Sequence, residues 1–241
     1  MRVEAIYNVL NELSPFEMQA SWDNSGLILG SYDLEVTDVV LSIDIDEELL
    51  ESVEEGSLII THHPLIFSGI KSMDFATYPS KLLAKMIEKK IANIAMHTNF
   101  DLTHLNTYVA EKVLGKTVLN RDEYLVYFDV KSSMEEFSAE VSKVFGLTHI
   151  KSVVAHDREI RRVALCTGSG ASMIGEIDAD LFLTGDIKYH DAMEAKMLGL
   201  NMIDIGHFES ERFFGEILAE DLKNLGLTVI ISSSKNPFTY L

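Results

Sequence analysis

Leu58-Ile59-Ile60-Thr61-His62-His63-Pro64 is an apolar run that ends abruptly in polar, chemically active side chains, and Leu181-Phe182-Leu183-Thr184-Gly185 repeats its first part. A short apolar run bounded by turn residues reads as a strand buried on both faces, as in a parallel sheet. The surroundings agree. Val39-Val40-Leu41-Ser42-Ile43 reads as the preceding strand, Glu47 to Val53 as a short helix, Ser80 to Lys90 as the next helix and Ile91 to Met96 as a further strand. Ahead of them, Val3, Ile6, Tyr7, Leu10 and Leu13 recur at helical spacing until Ser14-Pro15 stops the helix. Strands alternating with helices predict an α/β fold with mainly parallel sheets flanked by helices.

The pattern then returns. Leu82-Leu83-Ala84-Lys85-Met86 is matched loosely by Ala192-Met193-Glu194-Ala195-Lys196-Met197, and Ile94-Ala95-Met96-His97 by Ile203-Asp204-Ile205-Gly206-His207. Leu41 to Thr61 spans 20 positions and Leu165 to Thr184 spans 19; His62 to His97 spans 35 and Gly185 to His207 only 22. The surplus in the first copy fits a loop from Leu65 to Tyr78. A helix and a strand precede each copy, at 3–13 and 27–29 and again at 134–145 and 151–154. The matching order predicts an internal duplication into two similar α/β halves, 1–122 and 123–241. No Gly/Ser/Pro-rich linker separates them, so the polar Asn120-Arg121-Asp122-Glu123 is the expected boundary and close packing is expected.

Composition narrows the function. Apolar residues make up 47% of the 241 and charged residues 24%, an ordinary globular mixture. A net charge of −18 argues against partners that present phosphate arrays, nucleic acid and anionic membrane alike. A small anionic substrate stays compatible if bound cations reverse the field locally. Cys166 is the only cysteine, the start MRVEAIYNVL carries Glu4 and no signal-type apolar core, and no apolar run approaches the roughly 20 residues of a membrane span. A cytosolic protein is the expectation.

In open parallel sheets, chemistry gathers beyond the carboxyl ends of the strands. Thr61-His62-His63-Pro64 follows one predicted strand, His97-Thr98-Asn99-Phe100-Asp101 another, and Gly206-His207-Phe208-Glu209-Ser210-Glu211 a third. Imidazole and carboxylate are the ligands for Zn, Fe or Mn where thiols are absent. Adjacent residues on extended chain point to opposite sides, so His62 and His63 suit two neighbouring ions better than one. Asp101, His207 and Glu211 bring the protein ligands to five, with Glu211 or Asp101 as a bridging carboxylate. That is the donor set of a two-metal site.

These residues also carry a family resemblance. Trp22-Asp23-Asn24-Ser25-Gly26-Leu27, Thr61 to Phe67, His97 to Asp101, Thr184-Gly185-Asp186 with His190, and Gly206 to Glu211 resemble the motifs of the Nif-three-like dinuclear-metal proteins, which often carry the label GTP cyclohydrolase one type two homologue. The resemblance covers essentially the whole chain. It implies a di-metal centre on His62, His63, Asp101, His207 and Glu211. It also implies two intertwined α/β halves, and a homohexameric torus whose sites face an inner cavity. His97 enters only as a residue lining the site. The segment from Asp122 to Arg161 is too short for the extra domain of some members, so this is a minimal one.

The expected activity is hydrolysis of a small, phosphorylated or nucleotide-like substrate by water activated between two divalent ions, with Asp23, His97 or His190 managing protons. No guanine-reading motif is visible, so cyclohydrolase activity is not carried over from the label. The alternative is a non-catalytic metal-binding, metal-delivery or scaffold oligomer. Asp23 could orient a ligand histidine and Asp44 could support the site, whereas Asp46 begins a helix. Gly168-Ser169-Gly170 reads as a tight turn before it reads as a phosphate cradle. Phe213, Phe214, Ile217, Leu218 and Leu222 form a core-facing helix stripe, and Cys166 is a buried apolar filler.

Overall fold

A computed structural model describes residues 1–223 and 225–239. Its strands are β1 (Gly26–Leu29), β2 (Asp38–Ser42), β3 (Leu58–Thr61), β4 (Ala92–Ala95), β5 (Asn120–Asp122), β6 (Leu125–Ser132), β7 (Lys151–Val153), β8 (Ile160–Leu165), β9 (Leu181–Thr184), β10 (Asn201–Asp204) and β11 (Thr228–Ile231). They form two sheets, and the chain divides into two units built around them.

The first unit holds 1–103 and 214–235. Its sheet runs β1-β4-β3-β2-β11, with β4, β3, β2 and β11 parallel and β1 antiparallel at one edge. The inner strands are wholly buried, as the unbroken apolar runs require. Val40 and Ile59 pack against Leu50 of helix Glu47–Ser52 and against Leu82, Leu83 and Met86 of helix Ser80–Glu88. Asp46 does begin its helix, accepting the Leu49 N–H at 2.7 Å. Helix Phe214–Leu222 packs on β2 and β11 and buries Phe214, Leu218 and Leu222.

The second unit holds 104–213 and 236–241, of which 240 and 241 lie outside the described residues. Its sheet runs β5-β6-β8-β9-β10-β7, with β8, β9 and β10 parallel. Tyr127, Ala164, Phe182 and Met202 meet Ala195 of helix Tyr189–Leu198 in its core, joined by Cys166. The repeat is visible in the topology. Helix Val3–Leu13, edge strand β1 and the parallel set β2-β3-β4 correspond in order to helix Met134–Phe145, edge strand β7 and β8-β9-β10.

Two features differ from the expectation. The second sheet is mixed, because β5 and β6 form an antiparallel hairpin beside β8; the polar stretch at Asn120–Glu123 is strand β5 and the first residue of the hairpin turn. The division falls instead between 103 and 104, inside helical turns that run from Thr98 to Val113, and 214–235 rejoin the first unit because β11 pairs with β2. Among the described residues no helix is long and apolar enough to cross a membrane. Phe182 is fully buried on β9, so Phe182→Ala should lower stability by about 3–5 kcal/mol in urea denaturation.

Candidate metal centre

The backbone ladder of the first sheet continues past Thr61. His62 and His63 donate their backbone N–H groups to Ser42 O and Ile43 O at 3.1 and 3.0 Å, which carries both residues beyond the strand end in register with β2. On the other side Met96 N–H reaches Thr61 O at 2.8 Å. His97 therefore emerges level with the histidine pair.

Three rings gather here. His62 and His63 centroids lie 5.0 Å apart, and His97 lies 5.3 Å from the first and 5.5 Å from the second. The three residues each offer a ligand nitrogen within 4.8 Å of the others, close enough to hold a metal ion together. This corrects the expectation in two respects. The chain bends at His62 and His63 just past the end of β3, and the adjacent rings lie together instead of splaying; His97 is itself a potential donor, not only a lining residue. Asp101 joins from the first wide turn of the helical run Asp101–Leu105, with Oδ1 3.5 Å from His62 Nε2; such turns recur at functional sites because they re-aim one side chain. Phe214 backs the His62 ring at 5.3 Å.

Each ring is oriented through Nδ1. His62 Nδ1 donates to Met96 O at 2.9 Å, His63 Nδ1 to Asp44 Oδ1 at 2.8 Å and His97 Nδ1 to Asp23 Oδ1 at 2.8 Å. A carbonyl or an ionised carboxylate can only accept, so the proton sits on Nδ1 and the lone pair on Nε2. Asp44 thus orients the His63 ring and Asp23 the His97 ring.

Asp23 is the hub of the Trp22–Gly26 turn. It accepts five hydrogen bonds: from His97 Nδ1, Thr98 N–H, Thr98 Oγ1, Ser25 Oγ and Asn24 N–H. Burial alone would raise its pKa, but the bond and charge of His97, with the donors of Thr98 and Asn24, outweigh that and hold the carboxyl well below the usual range.

The second unit repeats the motif. His207 opens the five-residue helix His207–Glu211 directly beyond β10; its Nδ1 donates to Asp186 Oδ2 at 2.8 Å, and its Nε2 lies 3.1 Å from Glu211 Oε2. Glu211 is buried. The Gly168-Ser169-Gly170 stretch is a tight turn that makes room: a Cβ on Gly168 would run into Glu211 Oε1, and the Gly168 N–H is bound to Ser210 Oγ at 3.0 Å. The sequence named Asp186 only within the Thr184-Gly185-Asp186 motif and Gly168 only as part of a tight turn, with no contact to His207 or Glu211 foreseen. For Asp186 the available signal was its place just past β9, next to β10, which leads to His207. His190 is exposed on the first turn of Tyr189–Leu198 against the Tyr189 ring, outside the donor group.

This is an α/β protein whose parallel strands end in imidazoles with the proton on Nδ1, beside buried carboxylates, in groups that could hold a metal ion. More narrowly, the chain belongs to the Duf34/NIF3 (NGG1p interacting factor 3) family, whose model matches residues 1–237. It is 50% identical over 240 residues to a Campylobacter jejuni protein named GTP cyclohydrolase 1 type 2 homolog, covering 100% of both chains. A Helicobacter pylori J99 protein named GTP cyclohydrolase 1 type 2 is 39% identical over 237 residues, covering 98% of this chain and 97% of the other. The crystal structure of Staphylococcus aureus protein SA1388 matches with a TM-score of 0.89 at 28% identity, covering 100% of this chain and 99% of that one.

Asp23 contributes stability in its ionised form. That contribution is fully present above the unfolded-state value of about 4 and is lost as pH falls through the lower folded value. The stability advantage of the wild type over Asp23→Asn should therefore be flat near neutrality and shrink once the pH drops below about 4, as read by denaturation at a series of pH values. Gly168→Ala should cost clearly more than Gly199→Ala in the same assay. Both glycines have positive φ, +63° and +72°, but only the first is obstructed; equal losses would remove the steric role given to Gly168.

Proposed function

We propose that the protein is a divalent-cation-dependent hydrolase of a small, phosphorylated or nucleotide-like substrate, with His62, His63, Asp101, His207 and Glu211 as the protein ligands of two cations. One observation carries this reading: the three ligand imidazoles, each just past the end of a strand, are held by the same Nδ1 hydrogen bond to an acceptor-only oxygen. Core or surface histidines have no common reason to share that arrangement, whereas metal-binding histidines almost always do. The donor set fits the group. It is all nitrogen and oxygen, with Cys166 buried in the core, and suits Zn, Fe or Mn.

Bound cations would supply Lewis-acid charge and a water acidic enough to ionise near neutral pH. The chain does the rest. Asp44, Asp186 and the Met96 carbonyl fix the ligand rings, which spares reorganisation as charge develops. His97 and Asp23 form a dyad in which the ionised carboxylate orients the ring through Nδ1, which leaves Nε2 to accept a proton and return it to a leaving group. Proton handling belongs to His97 and not to His190, which is exposed and outside the donor group. With cations in place, an anionic phosphate can approach despite the net charge of −18. The family resemblance adds a homohexamer, which light scattering on purified protein would return as six copies.

The test combines metal analysis of protein purified without added metal with a phosphoester screen. Two ions per chain are expected, and His63→Ala or Glu211→Ala should lose metal and abolish turnover while the far-ultraviolet circular dichroism stays that of the wild type. Metal without turnover, after loading with Mn, Zn and Fe in turn, would replace the hydrolase with a metal-storage or delivery protein. No bound metal would sink both readings.

A further inference from the structure

Trp22 and Phe67 stand in solvent beside the histidine group. Trp22 is 61% exposed and Phe67 49%, although large aromatic rings gain most from burial. Both reach His97 edge-on with centroids at 6.3 Å, and their own centroids lie 6.0 Å apart. Since His97 also meets His62 and His63, the aromatic pair is one imidazole removed from the metal donors.

The pair is held in position. Asn24 Nδ2 donates to Ile66 O at 2.5 Å, tying the turn that bears Trp22 to the backbone just before Phe67. The five hydrogen bonds to Asp23 fix the other end of that turn. Phe67 lies in the segment between β3 and helix Ser80–Glu88, whose counterpart between β9 and helix Tyr189–Leu198 is much shorter. One copy of a duplicated fold has thus acquired a fixed, exposed ring next to its donors, and the other has not.

Fixed aromatic faces exposed beside a reactive centre match what stacking of a planar ring requires. The 47° tilt between the rings leaves no parallel slot for a third, so a bound ring lies on the outward face of one with the other at its edge. We infer that Trp22 and Phe67 form a stacking platform that selects substrates bearing a planar heteroaromatic ring and places the phosphate of such a substrate toward the histidines. The substrate assignment rests on the hydrolase reading; the stacking itself involves no cation and is expected in metal-free protein.

Trp22 is the only tryptophan, so its emission reports on the platform alone. Metal-stripped protein is titrated with inosine, inosine monophosphate and ribose 5-phosphate. The first two should quench the emission saturably, and ribose 5-phosphate should not. Phe67→Leu keeps the apolar bulk without the ring and should raise the half-saturating concentration about tenfold, with Phe67→Tyr restoring it. Absence of saturable quenching by inosine and its phosphate, or an equal response to ribose 5-phosphate, overturns the platform. A Trp22 emission that shifts with protein dilution but ignores every ligand overturns it as well, and gives the pair to a contact between copies of the chain. The two readings fail separately: quenching in a protein that metal analysis finds empty leaves the platform standing and removes the hydrolase, whereas metal and turnover without quenching do the reverse.

Discussion

The Nδ1 protons of His62, His63 and His207 are each fixed by a bond that joins neighbouring strand ends, and the orientation of these rings follows from it. His63, beyond β3, is bound to Asp44, beyond β2; His62 is bound to the carbonyl of Met96, beyond β4; His207, beyond β10, is bound to Asp186, beyond β9. In each case the two strands are adjacent and parallel in their sheet. Parallel pairing delivers all strands to the same edge at similar depth, so an acceptor on one strand meets a donor on the next without a long loop. The sheet register thereby sets the imidazole tautomer, and the tautomer sets which nitrogen faces outward.

Asp23 shows how much of this order is held by one buried charge. Removing a carboxylate from water is costly unless its lone pairs are satisfied, and five donors satisfy them here. The donors come from the Trp22–Gly26 turn itself and from His97 and Thr98, more than 70 positions later in the chain. One group thus closes the turn, orients His97 and positions the segment that carries Trp22. The second unit solves the same problem with less wiring: Asp186 is exposed, and the close approach of the Gly168 turn confines the Glu211 carboxylate.

The strand ends were legible because buried parallel strands leave unbroken apolar runs, and the polar residues that follow them have nowhere to go but the sheet edge. That logic singled out His62, His63, His97, Asp101, His207 and Glu211, with Asp44 as a support; Asp23 was raised by the polar turn ahead of β1 instead. What stayed hidden depends on distances between segments. Strand β5 looked like a boundary because its residues are polar, yet a sheet-edge strand exposed to water has that same composition. Convergence of His97 with the histidine pair follows from the β3–β4 register and from the bend at His62 and His63, which alternation along an ideal strand does not describe. Gly168 gives no local sign that a carboxylate will press against it.

The return of β11 to the first sheet has a consequence for how the chain acquires its structure during synthesis. Strand β2 is covered on its outer edge by residues 228–231, which leave the ribosome only after the whole second repeat has been made. Until then the nascent amino-terminal half exposes an unzipped, strongly apolar border at Val39, Val40 and Leu41, the kind of edge on which newly made chains stick to one another. Folding of the two repeats is therefore not simply sequential, and protection of that border by a chaperone would matter most in the interval before the tail arrives.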